Sequence, residues 1–194
     1  MEPKLSRVGQ ASLLTAIIMV AAALLLGAAG LTWAITYQAS VRGSASIEEW
    51  KASYMKSIAP VVFYAYYAGN SVKIYMVNVG TSKAFLGPVE MTFNDGSKRV
   101  VWPSSYVVKY VTPSGATTAA RIGPVRIDES AYRISSTVPA TERLPVLEPL
   151  TSGYYVIKVS SVFGKPLTAK VYIFGVLSGK AHLIYGVEVG GIDS

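Results

Sequence analysis

Cysteine is absent from this chain, which removes disulfides, thiolate metal sites and cysteine nucleophiles together. Its stability has to come from packing and hydrogen bonds. Histidine occurs once, at His182, so no His-x-x-x-His pair exists, and its place between Ala181 and Leu183 in a strand-like run favours a structural role. Acids number 11 against 18 lysines and arginines, and they do not cluster: Asp95 falls in a turn, Asp128 and Glu129 in a proline-rich stretch, Asp193 in the tail. A Gly-x-Ser-x-Gly elbow and a phosphate-binding glycine loop are also missing. The expectation is a protein that is not an enzyme, with no cofactor and no metal site. Side-chain amides are scarce as well, with Asn70, Asn78, Asn94, Gln10 and Gln38 the whole set. Such depletion accompanies thermophilic sources.

The most consequential absence is local. From Val8 to Val41 no side chain carries a charge, and the stretch opens behind a short leader whose positive charges are Lys4 and Arg7. About 20 apolar residues at a rise of about 1.5 Å span a bilayer core, and Ala11 to Tyr37 exceeds that length. A membrane helix therefore organises the rest of the chain. Three routes of processing compete. A secretory signal peptide cut near Ala28 and Gly30 releases a free domain. An uncleaved anchor keeps the segment in the membrane with Lys4 and Arg7 on the cytoplasmic side. A cut after Gly9 leaves the helix at a new N-terminus.

Helical character continues past the apolar run. Ile47, Trp50, Tyr54 and Ile58 recur at helical spacing with charges on other faces; Gly43 and Ser44 permit a bend, and Pro60 ends the element. Within the apolar half, Ala16, Ala23, Gly27, Gly30 and Ala34 fall near one stripe, interrupted only by Val20. Small residues let helix backbones approach closely in apolar surroundings, so this stripe is the candidate packing surface.

In these features the sequence resembles the archaeal type IV pilin and archaellin superfamily. The resemblance rests on Arg7-Val8-Gly9 as the end of a class III leader, Gln10 to Tyr37 as a hydrophobic assembly helix, and a β-rich head beyond Pro60. It implies that a prepilin peptidase cuts between Gly9 and Gln10, with Arg7 as the leader's basic mark. It also implies that the freed helices bundle into a filament core with the heads outside. The leader departs from many family members in placing its basic residue three positions before the cut. Leu14 stands where bacterial pilins carry glutamate.

Beyond Pro60 the pattern changes to short runs of Val, Ile, Tyr and Phe separated by turns, the signature of antiparallel β structure. Strands are expected at 61–67, 72–79, 89–93, 99–102, 106–111, 154–160, 169–176 and 181–189. Hairpin turns are expected at Asn94-Asp95-Gly96-Ser97, Ala68-Gly69-Asn70-Ser71 and Ser178-Gly179-Lys180. Prolines multiply between Thr112 and Thr151, which reads as a surface segment of irregular chain with one strand near 121–127. In the first strand, alternation sends Phe63 and Tyr67 to one face and Tyr64 and Tyr66 to the other, one pair to the core and the other to an interface or to cross-strand packing.

The net charge of +7 invites a nucleic-acid reading, but the basic residues are scattered singly, without the clustering and interleaved aromatics of such a surface. No specific nucleic acid is expected as a partner. The sequence therefore predicts an α+β protein with a basic leader at 1–9, a hydrophobic then amphipathic helix at 10–59, and an Ig-like antiparallel β-sandwich head at 60–194. Its expected role is subunit of an extracellular archaeal filament used for adhesion. The implied partners are copies of itself, the prepilin peptidase and, during biogenesis, the membrane. A membrane-anchored accessory protein, archaellum-associated or envelope-binding, and a secreted ligand-binding β domain are the alternatives.

Overall fold

The computed structural model describes residues 7–149, 152–160 and 164–193, with side chains on the first helix described from Ile18 onward. The chain is α+β: one long apolar helix, α1 (Arg7–Ser57), precedes a mostly antiparallel β domain. Two compact units emerge, one ending at Trp50 and the other running from Lys51 to the C-terminus.

Helix α1 runs for 51 residues without interruption, through Gly43 and Ser44. At about 1.5 Å per residue it measures roughly 76 Å. Its polar side chains do not break the apolar surface, because the hydroxyls bond back to the helix itself. Thr32 donates to the carbonyl of Ala28, Thr36 to that of Thr32, and Ser40 to that of Tyr37. The helix stops at Ser57, and Pro60 begins the first strand, as a proline that disfavours helix before it should dictate.

The last turns of α1 are part of the head. Tyr54 packs against its core and Ile58 is buried in it, while the Tyr54 hydroxyl donates to the carbonyl of Lys83. The terminal carbonyl of Ser57, one of the orphans of any helix end, accepts from the amides of Thr81 at 2.9 Å and Ser82 at 3.0 Å. That approach requires Gly80, where an added Cβ would lie 2.5 Å from the Ser57 oxygen.

A single buried amide ties the junction together. Asn78 accepts from the amides of Ala59 and Gly80 through Oδ1 and donates through Nδ2 to the carbonyls of Ser82 and Leu147. All four hydrogen-bonding positions of the side chain are used, at 1% exposure.

The head contains eleven strands: β1 (Pro60–Ala68), β2 (Ser71–Asn78), β3 (Ala84–Thr92), β4 (Lys98–Val101), β5 (Val107–Thr112), β6 (Gly115–Thr118), β7 (Arg121–Ile127), β8 (Thr141–Leu147), β9 (Tyr154–Ser160), β10 (Thr168–Leu177) and β11 (Lys180–Val189). The three expected hairpin turns form. At Gly69-Asn70 and Ser178-Gly179 both central residues have positive φ, the geometry that matches the twist of flanking strands.

The strands make two sheets. The first is open, in the order β1-β2-β9-β5-β6. The second runs β10-β11-β7-β8-β3-β4 and closes on itself, because β3 also pairs with β10. The Ig-like sandwich expected from sequence has two open sheets, and the closure is a departure from it. Its physical cause lies in β3. Gly87-Pro88 falls where the β3–β10 register shifts, and such a bulge bends a strand. On the edge away from β10, Ala84 and Phe85 then pair with β8, and Val89 to Thr92 with β4.

Two apolar clusters follow. Val72, Ile74 and Met76 of β2 and Ile157 of β9 meet Leu86 and Met91 of β3 between the sheets. Phe174, Leu144, Val125 and Ala181 fill the second cluster with strands of the closed sheet. Full burial of side chains of this size contributes about 1.5–3 kcal/mol each.

The proline-rich stretch corrects the sequence reading. The strand expected near 121–127 forms as β7, but the stretch also supplies β6 and β8, and in β8 Leu144, Pro145, Val146 and Leu147 are all buried rather than at the surface. Pro124 sits in the irregularity between Ile122 and Val125, where the ladder to β8 is interrupted and no amide is required.

Candidate interaction surfaces

The first candidate surface is the helix. From Ile18 to Ser57 it is long and apolar enough to cross a membrane, and its large side chains are open to the surroundings: Leu24, Leu25 and Leu26 are 70–75% exposed. Trp33 and Tyr37 stack one turn apart at 5.5 Å, just before Arg42, the first charge after the apolar run. Trp and Tyr favour the level of lipid headgroups.

The sequence-predicted residues fall on this helix as follows. The Gly9–Gln10 bond lies inside the first turn of α1. Lys4 and the side chains of Arg7, Gly9, Gln10 and Ala16 lie outside the described residues. Ala23, Gly27 and Gly30 are exposed and Ala34 is half-buried. Because the helix is continuous, their spacing of four, three and four keeps them on one stripe, and nothing lies within 4 Å of a Cβ built at Gly27 or Gly30.

The second surface was anticipated only in part, as one outward pair of the β1 aromatics. A register shift between Val62 and Tyr64 inserts an extra residue in β1, and the bulge overturns simple alternation. Phe63 and Tyr64 both turn outward with Tyr66, while Tyr67 packs against the core. Tyr75 of β2 and Tyr154 of β9 join them. Neighbouring ring centroids lie 5.7–6.2 Å apart from Tyr66 through Tyr64 and Tyr75 to Phe63 and Tyr154.

Lysines complete this face. Lys73 and Lys158 stand directly opposite each other on β2 and β9, and Lys109 lies one row away, opposite Val156 on β5–β9. Val156 also pairs with Tyr75, so ring and lysine rows share one side of the sheet. Lys73 Nζ donates to the Tyr66 hydroxyl at 2.8 Å. That hydrogen bond, with a second from Tyr75, holds the Tyr66 phenol below its ordinary pKa, whereas desolvation and the same tyrosine push Tyr75 up to about 12.

On the closed sheet several charged groups pair instead. A groove of about 490 Å³ on the closed sheet is lined by Glu90, Lys98, Lys170, Tyr172 and Glu188. Lys98 pairs with Glu90 at 2.8 Å and Lys170 with Glu188 at 3.2 Å, and the Tyr172 hydroxyl donates to Glu90 at 2.9 Å. Among the described residues no group of three His, Asp or Glu side chains is placed to hold a metal ion.

His182 is buried in β11, with Nδ1 3.5 Å from the Asp128 carboxylate. Asp128 in turn accepts from the Ser130 amide at 3.0 Å and caps the 3₁₀ turn Glu129–Arg133. Burial lowers the His182 pKa, opposed by Asp128 and reinforced by Lys51 and Lys180. For Asp128 desolvation works upward, but the Ser130 hydrogen bonds and the neighbouring imidazole prevail and lower its pKa.

Both groups therefore favour the folded state at neutral pH, and both lose that contribution as pH falls. For His182 the loss begins near the unfolded value of about 6.5 and grows as pH falls toward the lowered folded value; for Asp128 it begins only below about 3.9. The melting temperature of the chain is expected to fall between about pH 7 and 5, and His182→Gln should flatten the profile in that window alone. An unchanged slope in the variant would assign the pH dependence to other groups.

Searches with this sequence found no matching family model and no matching curated protein.

Proposed function

We propose that this chain is the structural subunit of an extracellular type IV pilus-like filament of the archaeal kind, polymerising through α1 and presenting the head outward for adhesion. The observation that carries the reading is the helix. A run without charge from Val8 to Val41 begins directly behind Arg7, and its large side chains from Ile18 onward, such as Leu24, Leu25 and Leu26, stay exposed on the folded chain. Such a surface has to be covered by lipid or by other helices.

Both coverings belong to the same scheme. The precursor sits in the membrane with Trp33 and Tyr37 at the interface; the prepilin peptidase removes the leader; and helices of successive copies then replace lipid around the Ala23-Gly27-Gly30-Ala34 stripe. The head is a mostly antiparallel β domain in which an open sheet packs on a closed one through the inter-sheet cluster.

Shearing surface filaments from cells and identifying their subunits tests this. Head peptides of this chain, such as the segment 154–160, should dominate the sheared fraction, and electron microscopy of cells lacking the chain should show those filaments missing. A chain that stays in the membrane fraction while filaments persist would instead identify an anchored accessory protein.

A further inference from the structure

The outward face of the first sheet combines two features that each carry a cost without a partner. Phe63 and Tyr64 are 56% and 46% exposed, within a contiguous group of five aromatic rings. Lys73 and Lys158 are directly cross-strand, an arrangement that like charges destabilise. Among the described residues no carboxylate pairs with Lys73, Lys109 or Lys158. The face is therefore positive as well as aromatic, and its complement is a polyanion with flat apolar rings.

We infer that this face binds single-stranded nucleic acid, its bases stacking on the outward aromatic rings and its phosphates meeting Lys73, Lys109 and Lys158. Sheet surfaces and grooves that hold single strands combine these elements, an aromatic platform and a positive track, and stacking tolerates any base because each has a π face. The spacing fits. Strands lie about 4.8 Å apart and same-face residues about 6.7 Å apart along a strand, so rings and lysines on β1, β2, β9 and β5 cover a patch several nucleotides long.

A second copy of this chain fits less well. Glu90, Glu188, Glu148 and Asp128 are already engaged with Lys98, Lys170, Lys83 and His182, which leaves fewer carboxylates on a copy to meet three lysines. The lysines were scattered in the sequence, at 73, 109 and 158, and only the pairing of β2, β9 and β5 brings them to one side. This inference does not depend on what α1 does, because every residue in it belongs to the head.

The test is fluorescence anisotropy of labelled oligothymidine, about 12 nucleotides long, titrated with the full chain in non-ionic detergent. Binding is expected, with a log–log salt slope of about −2 for three lysine–phosphate contacts, so that affinity falls about twentyfold between roughly 50 and 200 mM salt. Lys158→Gln should weaken binding and reduce the slope by about 0.7. Tyr64→Ser should weaken it about tenfold, with circular dichroism verifying that both variants stay folded; if Tyr64→Ser does not, Lys158→Gln carries the test. A duplex of the same length should bind more weakly, since paired bases cannot stack on the rings.

Absence of oligothymidine binding, or equal binding by both folded variants, would overturn the proposal. Equal affinity for dextran sulfate would assign the face to acidic polysaccharide instead. Loss of binding as the chain self-associates through this face would assign it to contacts between copies.

Discussion

Asn78→Leu is expected to lower the stability of the head by about 3–5 kcal/mol, the largest effect of any single substitution considered. Leucine keeps the volume but removes both donors and both acceptor positions. The amides of Ala59 and Gly80 and the carbonyls of Ser82 and Leu147 then lose their partner at a site that is 1% exposed. Leaving a buried polar group unsatisfied costs about 1–3 kcal/mol each, and the four are not additive because they share one side chain and one loop. For a domain of this size the loss corresponds to a melting temperature lower by about 10–15 °C. Thermal unfolding of the full chain in detergent, followed by β-sheet circular dichroism, measures it. A shift below about 3 °C would mean that water or a rearranged loop replaces the amide, and that Asn78 does not hold the helix end to the sheets.

Gly27→Leu is expected to abolish filaments while leaving membrane insertion intact. Leucine is favourable in a bilayer, and nothing in the chain itself occupies the space of a larger side chain at this position. The bulk matters only when another helix approaches, and close approach is what small residues permit. Precursor should therefore accumulate in membranes without filaments on the cell. Leu25→Ile, which alters an exposed side chain away from the stripe, should be tolerated much better. Electron microscopy of cells carrying each variant distinguishes them, and normal filaments from Gly27→Leu would show that this stripe is not the packing surface.

Elements whose physics is local could be read from the sequence. The uncharged run and Pro60 define α1, and Gly69-Asn70 and Ser178-Gly179 place hairpins because positive φ is cheap for those residue types, Ser178 excepted. What stayed hidden depends on pairing between distant segments. Pro145 argued against a central strand, yet β8 is buried, with Arg121 opposite that proline. Phe63 looked like an alternating partner of Tyr67 until the bulge at Val62–Tyr64 turned it outward. Closure of the second sheet depends on a bend at Gly87-Pro88, inside a strand that the sequence reading began only at Val89. Asn78 carried one signal, as a buried-type position held by one of the few amides in the chain. The lysine row carried none, because only register across β2, β9 and β5 aligns residues so far apart.

Filament assembly by a freed helix requires the mature chain to start at the helix itself. Intact-mass and N-terminal peptide measurement on protein purified from its own cells should find Gln10 first, as glutamine or cyclised to pyroglutamate, with Lys4 and Arg7 gone. A mature chain that retains Lys4 and Arg7 would contradict assembly by a freed helix and favour a permanent anchor, and a chain beginning after Gly30 would contradict it in favour of simple secretion.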